Sequence, residues 1–446
     1  MTALCTDFYE IRMAVSFLRR GMAAPATFSL FARRLPVDRG FLVAAGLADC
    51  LDFLEEFRFT NDELDYVDET VGLDRATRAA LAELRFTGEV RAVPEGRVVF
   101  AGEPLLEVTA PIAQAQLVET ALLNFVTFQT AVATKAARCR IAAGDAGLID
   151  FAARRTHGLE AANAVARASA IAGFDATSYV AAARRYGLVP AGTMAHSYVE
   201  AFPDERSAFR AFAEDFPDDA VLLVDTYDTP SGVRNAVDVA RPVGIRLDSG
   251  DLPTLSRRAR QMLDTTGLRD ARIVVSGGLD EHGIADLVAR GAPVDVFGVG
   301  TRMGVSADAP SLDTAYKLVE YDGRPVMKLS SGKVTAPGAK QVFRGPVERG
   351  DVIGLREEPL PADHEPLLVP VVVDGRRTGP RRSEHDAVHD ARTRCYADLD
   401  RLPATALALR SPRPVAVRHS ERLTALTERV RRELEGHRGV AGLAGW

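Results

Sequence analysis

Lysine is scarce in this chain of 446 residues: only five of its 55 basic side chains are lysine, at positions 135, 317, 328, 333 and 340, and the rest are arginine. Tryptophan occurs once. The four cysteines, Cys5, Cys50, Cys139 and Cys395, form no Cys-x-x-Cys pair. That scatter argues against a zinc or disulfide framework and fits free thiols in a reducing, cytoplasmic setting. No apolar run reaches 18 residues, so no transmembrane helix is expected, and the start MTALCTDFYEIRM is too polar for a secretory signal. Neither sign of charge dominates: a net charge of −6 gives no reason to expect nucleic acid or a membrane as partner.

The chain is long enough for two or three domains, and its 47% hydrophobic content fills a sizeable core. From about residue 145 a unit recurs, in which a short apolar run meets a polar break and then an amphipathic helical stretch. The runs are GLIDFAARR (147–155), GFDATS (173–178), LVPAGT (188–193), VLLVDTYDT (221–229), VGIRLDSGD (243–251), RIVVSGGLD (272–280) and VDVFGVGT (294–301). Continuous apolar strands joined by helices predict a parallel sheet covered on both faces, and seven in succession suggest a barrel. The predicted division is an N-terminal α+β domain (1–130), an irregular parallel βα barrel (131–320), strands returning to the N-terminal domain (321–400) and a C-terminal helical tail (401–446). Residues 90–111 alternate with period two and read as antiparallel strands. Their resemblance to a lipoyl-type carrier hairpin fails because residues 88–111 contain no acceptor lysine.

In a barrel the strand ends form the reactive face. Thr193 and His196, Asp225 and Asp228, Arg246 and Asp248, Ser276 to Gly278, and Gly298 to Thr301 are therefore expected at one mouth. Glycines at Gly277, Gly278, Gly298 and Gly300 would let backbone N–H groups approach phosphate oxygens, although glycines also serve tight turns. Arg246 and Asp248 flank Leu247 and so share one side of a strand. They read either as a ligand-binding fork with a ribose or Mg²⁺ contact, or as a structural ion pair. Arg154 and Arg155, and Lys135 with Arg138, fit a phosphate contact or a surface face equally. Four of the five lysines fall between 317 and 340, which a phosphate site or chance explains alike. His385 and His389, with Cys395 nearby, match no standard metal spacing and read as a solvated helical face.

TDFYEIRMA, LPVDRGFLVAAGL, LLNFVTFQTAVATKAAR, DFAARRTHG, GFDATS, GTMAHSYVEAF, VDTYDT, GIRLDSGDL, VSGGLDE, FGVGTRM and KLSSGKVTAPGAKQVFR follow one another in order. Together they resemble the nicotinate phosphoribosyltransferases over residues 6 to about 344. The resemblance implies a type II phosphoribosyltransferase-like barrel. It also implies transfer of 5-phosphoribosyl from phosphoribosyl diphosphate to nicotinate, with Mg²⁺ and with ATP as co-substrate, giving nicotinate mononucleotide and pyrophosphate. It makes His196 the residue phosphorylated by ATP and puts Tyr9, Thr193, Arg154 and Arg246 at nicotinate. Ser276, Gly277, Gly278, Gly298, Gly300, Thr301, Lys135 and Asp225 would hold phosphoribosyl diphosphate. Asp248 would contact ribose or Mg²⁺. In the wider family the N-terminal segment of one subunit completes the other's site, which implies a homodimer. A related enzyme for nicotinamide or another base stays open, as does a non-catalytic nucleotide-binding barrel.

Overall fold

The computed structural model describes residues 2–330 and 335–441; Lys333 lies outside them. The chain forms two compact units. One comprises Met1–Thr130, Ser311–Arg381 and Ala397–Trp446, and the other Ala131–Pro310 and Arg382–Tyr396. Residues 382–396, grouped from sequence with the returning strands, instead belong to the second unit. They run into helix Glu384–Arg401 and make up most of it, and Arg392 Nε donates to Ala170 O at 2.7 Å.

The first unit is α+β. Helix α1 (Phe8–Arg19) precedes a seven-stranded sheet whose strand Pro25–Ala32 lies antiparallel between Pro104–Pro111 and the returning strand Thr314–Tyr321. Seven of the eight residues of Pro25–Ala32 are buried, which suits a central strand. A second, four-stranded sheet contains Lys340–Arg344 and Asp351–Leu355. Lys340 serves this fold: its backbone N–H donates to Glu107 at 2.8 Å and its buried ammonium donates to Gly338 O at 2.7 Å. A cavity of about 580 Å³ in this unit is lined by Arg344, Asp351, His364 and Asp398. Its charges are spent internally, because Arg344 pairs with Asp351 at 2.9 Å and with Asp398 at 3.0 Å.

Helix α2 (Glu119–Ala143) runs through the 130/131 boundary. In the second unit all seven predicted runs form parallel strands: β1 (Gly147–Asp150), β2 (Ala176–Thr177), β3 (Val189–Pro190), β4 (Val221–Leu223), β5 (Gly244–Leu247), β6 (Arg272–Val275) and β7 (Val296–Val299). Their order is β3-β2-β1-β7-β6-β5-β4, so the first and last segments of the repeat meet through β1 and β7. Among the described residues no ladder joins β3 to β4. The barrel is thus open along one seam. The chain crosses from β3 to β4 through helix α3 (His196–Glu200) and helix Glu205–Asp215. Leu148, Leu222, Ile245, Leu247, Ile273, Val275 and Val299 are fully buried, as expected for strands covered on both faces.

Candidate active site

Arg246 is the centre of the strand-end cluster. Its Nε donates to Ser276 Oγ at 2.8 Å, one terminal nitrogen to Thr193 Oγ1 at 3.1 Å and Met194 O at 3.3 Å, and the other to Asp248 at 2.7 Å. Ser276 Oγ also donates to Asp248. The guanidinium carbon stands 5.4 Å from the centroid of the Phe151 ring. This fork therefore ties together the ends of β1, β3, β5 and β6, and only 12% of its side chain is accessible.

The acidic pair sits beside it. Asp225 accepts the Asp248 backbone N–H at 2.9 Å and the Ser249 hydroxyl at 2.7 Å. The other oxygen of Asp225 is buried without a hydrogen-bond partner among the described residues. Burial pushes the Asp248 carboxyl upward, but the Ser276 hydroxyl, Arg246 and His196 outweigh it and hold the group below the usual aspartate range. His196 opens α3, and its Nδ1 lies 3.2 Å from Thr226 Oγ1.

The glycine loops have steric reasons to be glycine. Gly277 has φ +95°, and a Cβ there would come within 2.0 Å of the Asp248 carbonyl oxygen. At Gly298 a Cβ would strike the Phe151 ring at 2.5 Å, so the missing side chain seats that ring. Gly278 faces open space, and Gly300 precedes the short helix Thr301–Gly304, whose first residue Thr301 is exposed. Helix α4 (Glu281–Ala289) begins directly after the first loop. Its N–H groups of His282 and Gly283 are already capped by Asp280, so the loop backbone rather than these donors is available to an anion.

Lys135 stands elsewhere, and among the described residues Arg154 and Tyr9 make no hydrogen bond to the Arg246 cluster. Lys135 is sealed in a buried ion cluster, 2.6 Å from Glu281 and 2.8 Å from Asp308, with Arg138 on the same Glu281 at 3.0 Å. It secures the start of α4 and has no exposed ammonium for phosphate. Arg154 is exposed on the turn Ala153–Arg155 that follows β1. Tyr9 lies on α1 of the other unit and is 47% exposed. Burial, then the carboxylates of Glu119 and Glu10, raise its hydroxyl pKa.

Sequence reasoning missed two residues, Phe151 and Thr226. The signal for Phe151 was an aromatic placed directly after an apolar run, in DFAARR, and Thr226 directly follows Asp225 in VDTYDT. Phe151 and Thr193 also line a cavity of about 560 Å³, together with Ile149, Ala176 and Val274. Among the described residues no group of three or more His, Cys, Asp or Glu is placed to hold a metal ion by itself.

Residues 4–127 match the family model of the nicotinate phosphoribosyltransferase N-terminal domain, and 132–316 that of the quinolinate phosphoribosyl transferase C-terminal domain. The chain is 46% identical over 442 residues to nicotinate phosphoribosyltransferase pncB2 of Mycobacterium tuberculosis, covering 96% of this chain and 94% of the relative. The crystal structure of human nicotinic acid phosphoribosyltransferase superposes with a TM-score of 0.84 at 32% identity, covering 95% of this chain and 99% of that one. Nicotinate-nucleotide pyrophosphorylase from Pyrococcus furiosus superposes with a TM-score of 0.74 at 26% identity, covering 89% and 96%.

Proposed function

This chain belongs to the nicotinate phosphoribosyltransferase family, and from that premise we propose how its own residues carry out ATP-assisted transfer of 5-phosphoribosyl to nicotinate. The observation that carries the reading is the Arg246 fork, set over Phe151 and beside Thr193 at the ends of the strands. A pyridine ring stacks on Phe151 while its carboxylate takes charged hydrogen bonds from Arg246. The ring nitrogen then faces the anomeric carbon of phosphoribosyl diphosphate. Its lone pair forms the new C–N bond as the C–O bond to diphosphate breaks, with the electrons leaving on the diphosphate.

Such a displacement passes through an oxocarbenium-like state and needs no strong general base, because the pyridine nitrogen is already a nucleophile. Catalysis then rests on position and on charge neutralisation. The Ser276–Gly278 loop and the Gly298–Thr301 loop supply backbone donors to the phosphate groups. The unpartnered oxygen of Asp225, together with Asp248, is a hard oxygen donor set that suits Mg²⁺ shared with a diphosphate. When bound, that ion neutralises the leaving diphosphate. His196 is the phosphoryl acceptor from ATP, standing beside Asp248 at the same mouth.

The working enzyme is a cytoplasmic homodimer. Exposed Phe8, Tyr9 and Met13 on α1 support a helix face that a second subunit covers, with Tyr9 reaching the partner's nicotinate. The four cysteines are free thiols, which supports a reducing compartment.

The test is product formation from phosphoribosyl diphosphate with nicotinate or nicotinamide, each with and without Mg²⁺-ATP. Nicotinate mononucleotide formed faster with ATP, with ADP released, is the expected result. Product from nicotinamide alone would overturn the base assignment. In His196→Ala the ATP stimulation disappears while slower transfer persists; equal stimulation of mutant and wild type would remove His196 from the ATP step.

A further inference from the structure

We propose that Arg302 binds the 5-phosphate of phosphoribosyl diphosphate, with Asp280 as the positioning residue that holds its guanidinium between the two glycine loops. The inference rests on the reading of this mouth as a phosphoribosyl diphosphate site. Asp280 stands two residues after Gly278, and Arg302 two residues after Gly300. Arg302 donates from one terminal nitrogen to Asp280 Oδ2 at 3.0 Å, which ties the loop after β6 to the loop after β7.

The two partners differ in how firmly they are held. Asp280 is only 13% accessible, and its other oxygen accepts the His282 and Gly283 N–H groups at 3.1 and 3.0 Å. The next residue, Glu281, is fixed in turn by Lys135 and Arg138. Burial raises the Asp280 carboxyl pKa, but the Gly283 N–H, Arg302 and Lys135 outweigh it, so the group stays a carboxylate. The Arg302 side chain, by contrast, is 56% accessible, and its remaining N–H groups have no partner among the described residues. A planar fork with one corner docked and the rest uncommitted suits a second oxyanion.

Strand order and charge select which oxyanion. Asp225 and Asp248 follow β4 and β5, the side of the mouth read above as the place of Mg²⁺ and the diphosphate. β6 and β7 come next in the sheet, so the opposite end of the same substrate, its 5-phosphate, reaches their loops. A phosphate monoester carries about −1.5 to −2 charges at pH 7, and backbone N–H groups bring no net charge to meet it. Arg246 is committed to Thr193, Met194, Asp248 and Ser276, and Lys135 to its buried carboxylates. Arg302 supplies the cation. It also neutralises Asp280, whose carboxylate would otherwise repel the phosphate.

The test measures, in full-length protein, the KM values for phosphoribosyl diphosphate and nicotinate and the inhibition by ribose 5-phosphate and by pyrophosphate, which each carry one end of the substrate. In Arg302→Ala the KM for phosphoribosyl diphosphate and the Ki of ribose 5-phosphate rise about ten- to a hundredfold, the loss of a charged hydrogen bond. The Ki of pyrophosphate, the KM for nicotinate and the melting temperature stay near wild type. Arg302→Lys recovers part of the loss, because it keeps the charge without the fork. Asp280→Asn retains the helix cap and raises the Ki of ribose 5-phosphate about two- to fivefold, because Arg302 is no longer held by charge. On the Arg302→Ala background the same change lowers that Ki, because a repelling carboxylate is gone. A loss in both backgrounds would make Asp280 merely structural and overturn its role. Weakened inhibition by pyrophosphate with ribose 5-phosphate unaffected would overturn the assignment of Arg302, as would wild-type constants for both inhibitors. If wild type forms no nicotinate mononucleotide, the transferase reading fails, while calorimetric binding of ribose 5-phosphate to wild type and Arg302→Ala still decides whether Arg302 holds a phosphate.

Discussion

Arg246 donates to Asp248 across 2.7 Å, and the two share one side of their strand because only Leu247, fully buried, separates them. The side chain proposed to bind the base is thereby locked to a carboxylate that also accepts from Ser276, the first residue of the Ser276–Gly278 loop. Replacing Arg246 by alanine removes the charged fork, whose hydrogen bonds are worth about 1.5–3 kcal/mol each. The KM for nicotinate is expected to rise about ten- to a hundredfold, far more than the KM for ATP. Steady-state kinetics with each substrate varied in turn check this, and comparable increases in both would remove Arg246 from the base site.

Gly277 and Gly278 are adjacent, both have positive φ, and they differ in surroundings. A methyl group on Gly277 meets the Asp248 carbonyl at 2.0 Å, whereas one on Gly278 meets nothing within 4 Å. Gly278→Ala thus carries backbone strain alone, about 1–3 kcal/mol. Gly277→Ala adds a clash that only backbone movement relieves. Thermal melting is expected to fall further for Gly277→Ala, and its KM for phosphoribosyl diphosphate to rise more. Equal losses in the two variants would show that the Asp248 backbone gives way freely.

The carboxylate of Glu281 is shared by two buried cations, Lys135 and Arg138. Glu281→Ala leaves Arg138 without that partner and Lys135 with Asp308 alone. Losing one member of a buried ion cluster costs about 3–5 kcal/mol. Urea unfolding measures the loss, and a change below about 1 kcal/mol would mean that water reaches the cluster.

Asp150 gives a pH signature. It is 1% exposed and accepts the Ala152 N–H and the Thr177 hydroxyl, each at 2.8 Å. Burial, the largest influence, raises its pKa above the ordinary 3.8, and the two hydrogen bonds offset only part of that. The folded protein therefore binds this proton more tightly than the unfolded chain. Its contribution to stability is full below the ordinary aspartate range and is lost as pH rises through the raised folded value. Asp150→Asn does not ionise, so its stability relative to wild type improves from about pH 4 to pH 7. Melting temperatures of both proteins across that range test the sign, and a constant difference would show that Asp150 titrates normally.

The seven barrel strands and their polar ends were legible because each apolar run stops abruptly at Gly, Asp, Ser or Thr, a local signal of a buried strand leaving the sheet. Thr193, Arg246, Asp248 and Ser276 were placed together by that logic, and the hydrogen bonds join them. Lys135 misled because a lysine on a helix looks solvated until the fold brings Glu281 and Asp308 against it. Phe151 was invisible for the opposite reason: one aromatic at the end of an apolar run looks like core. The open seam between β3 and β4, and the return of residues 382–396 to the barrel unit, depend on contacts far apart in sequence and leave no periodic trace.

That seam has a mechanical consequence. Five of the seven strands have a neighbour on each side, so moving any of their ends means tearing a sheet. The arc from Gly192 to Glu200 is bound by no ladder on its β4 side. His196 rides on the part of the ring that can be re-posed for the price of a few loop contacts, while the groups it faces stay fixed.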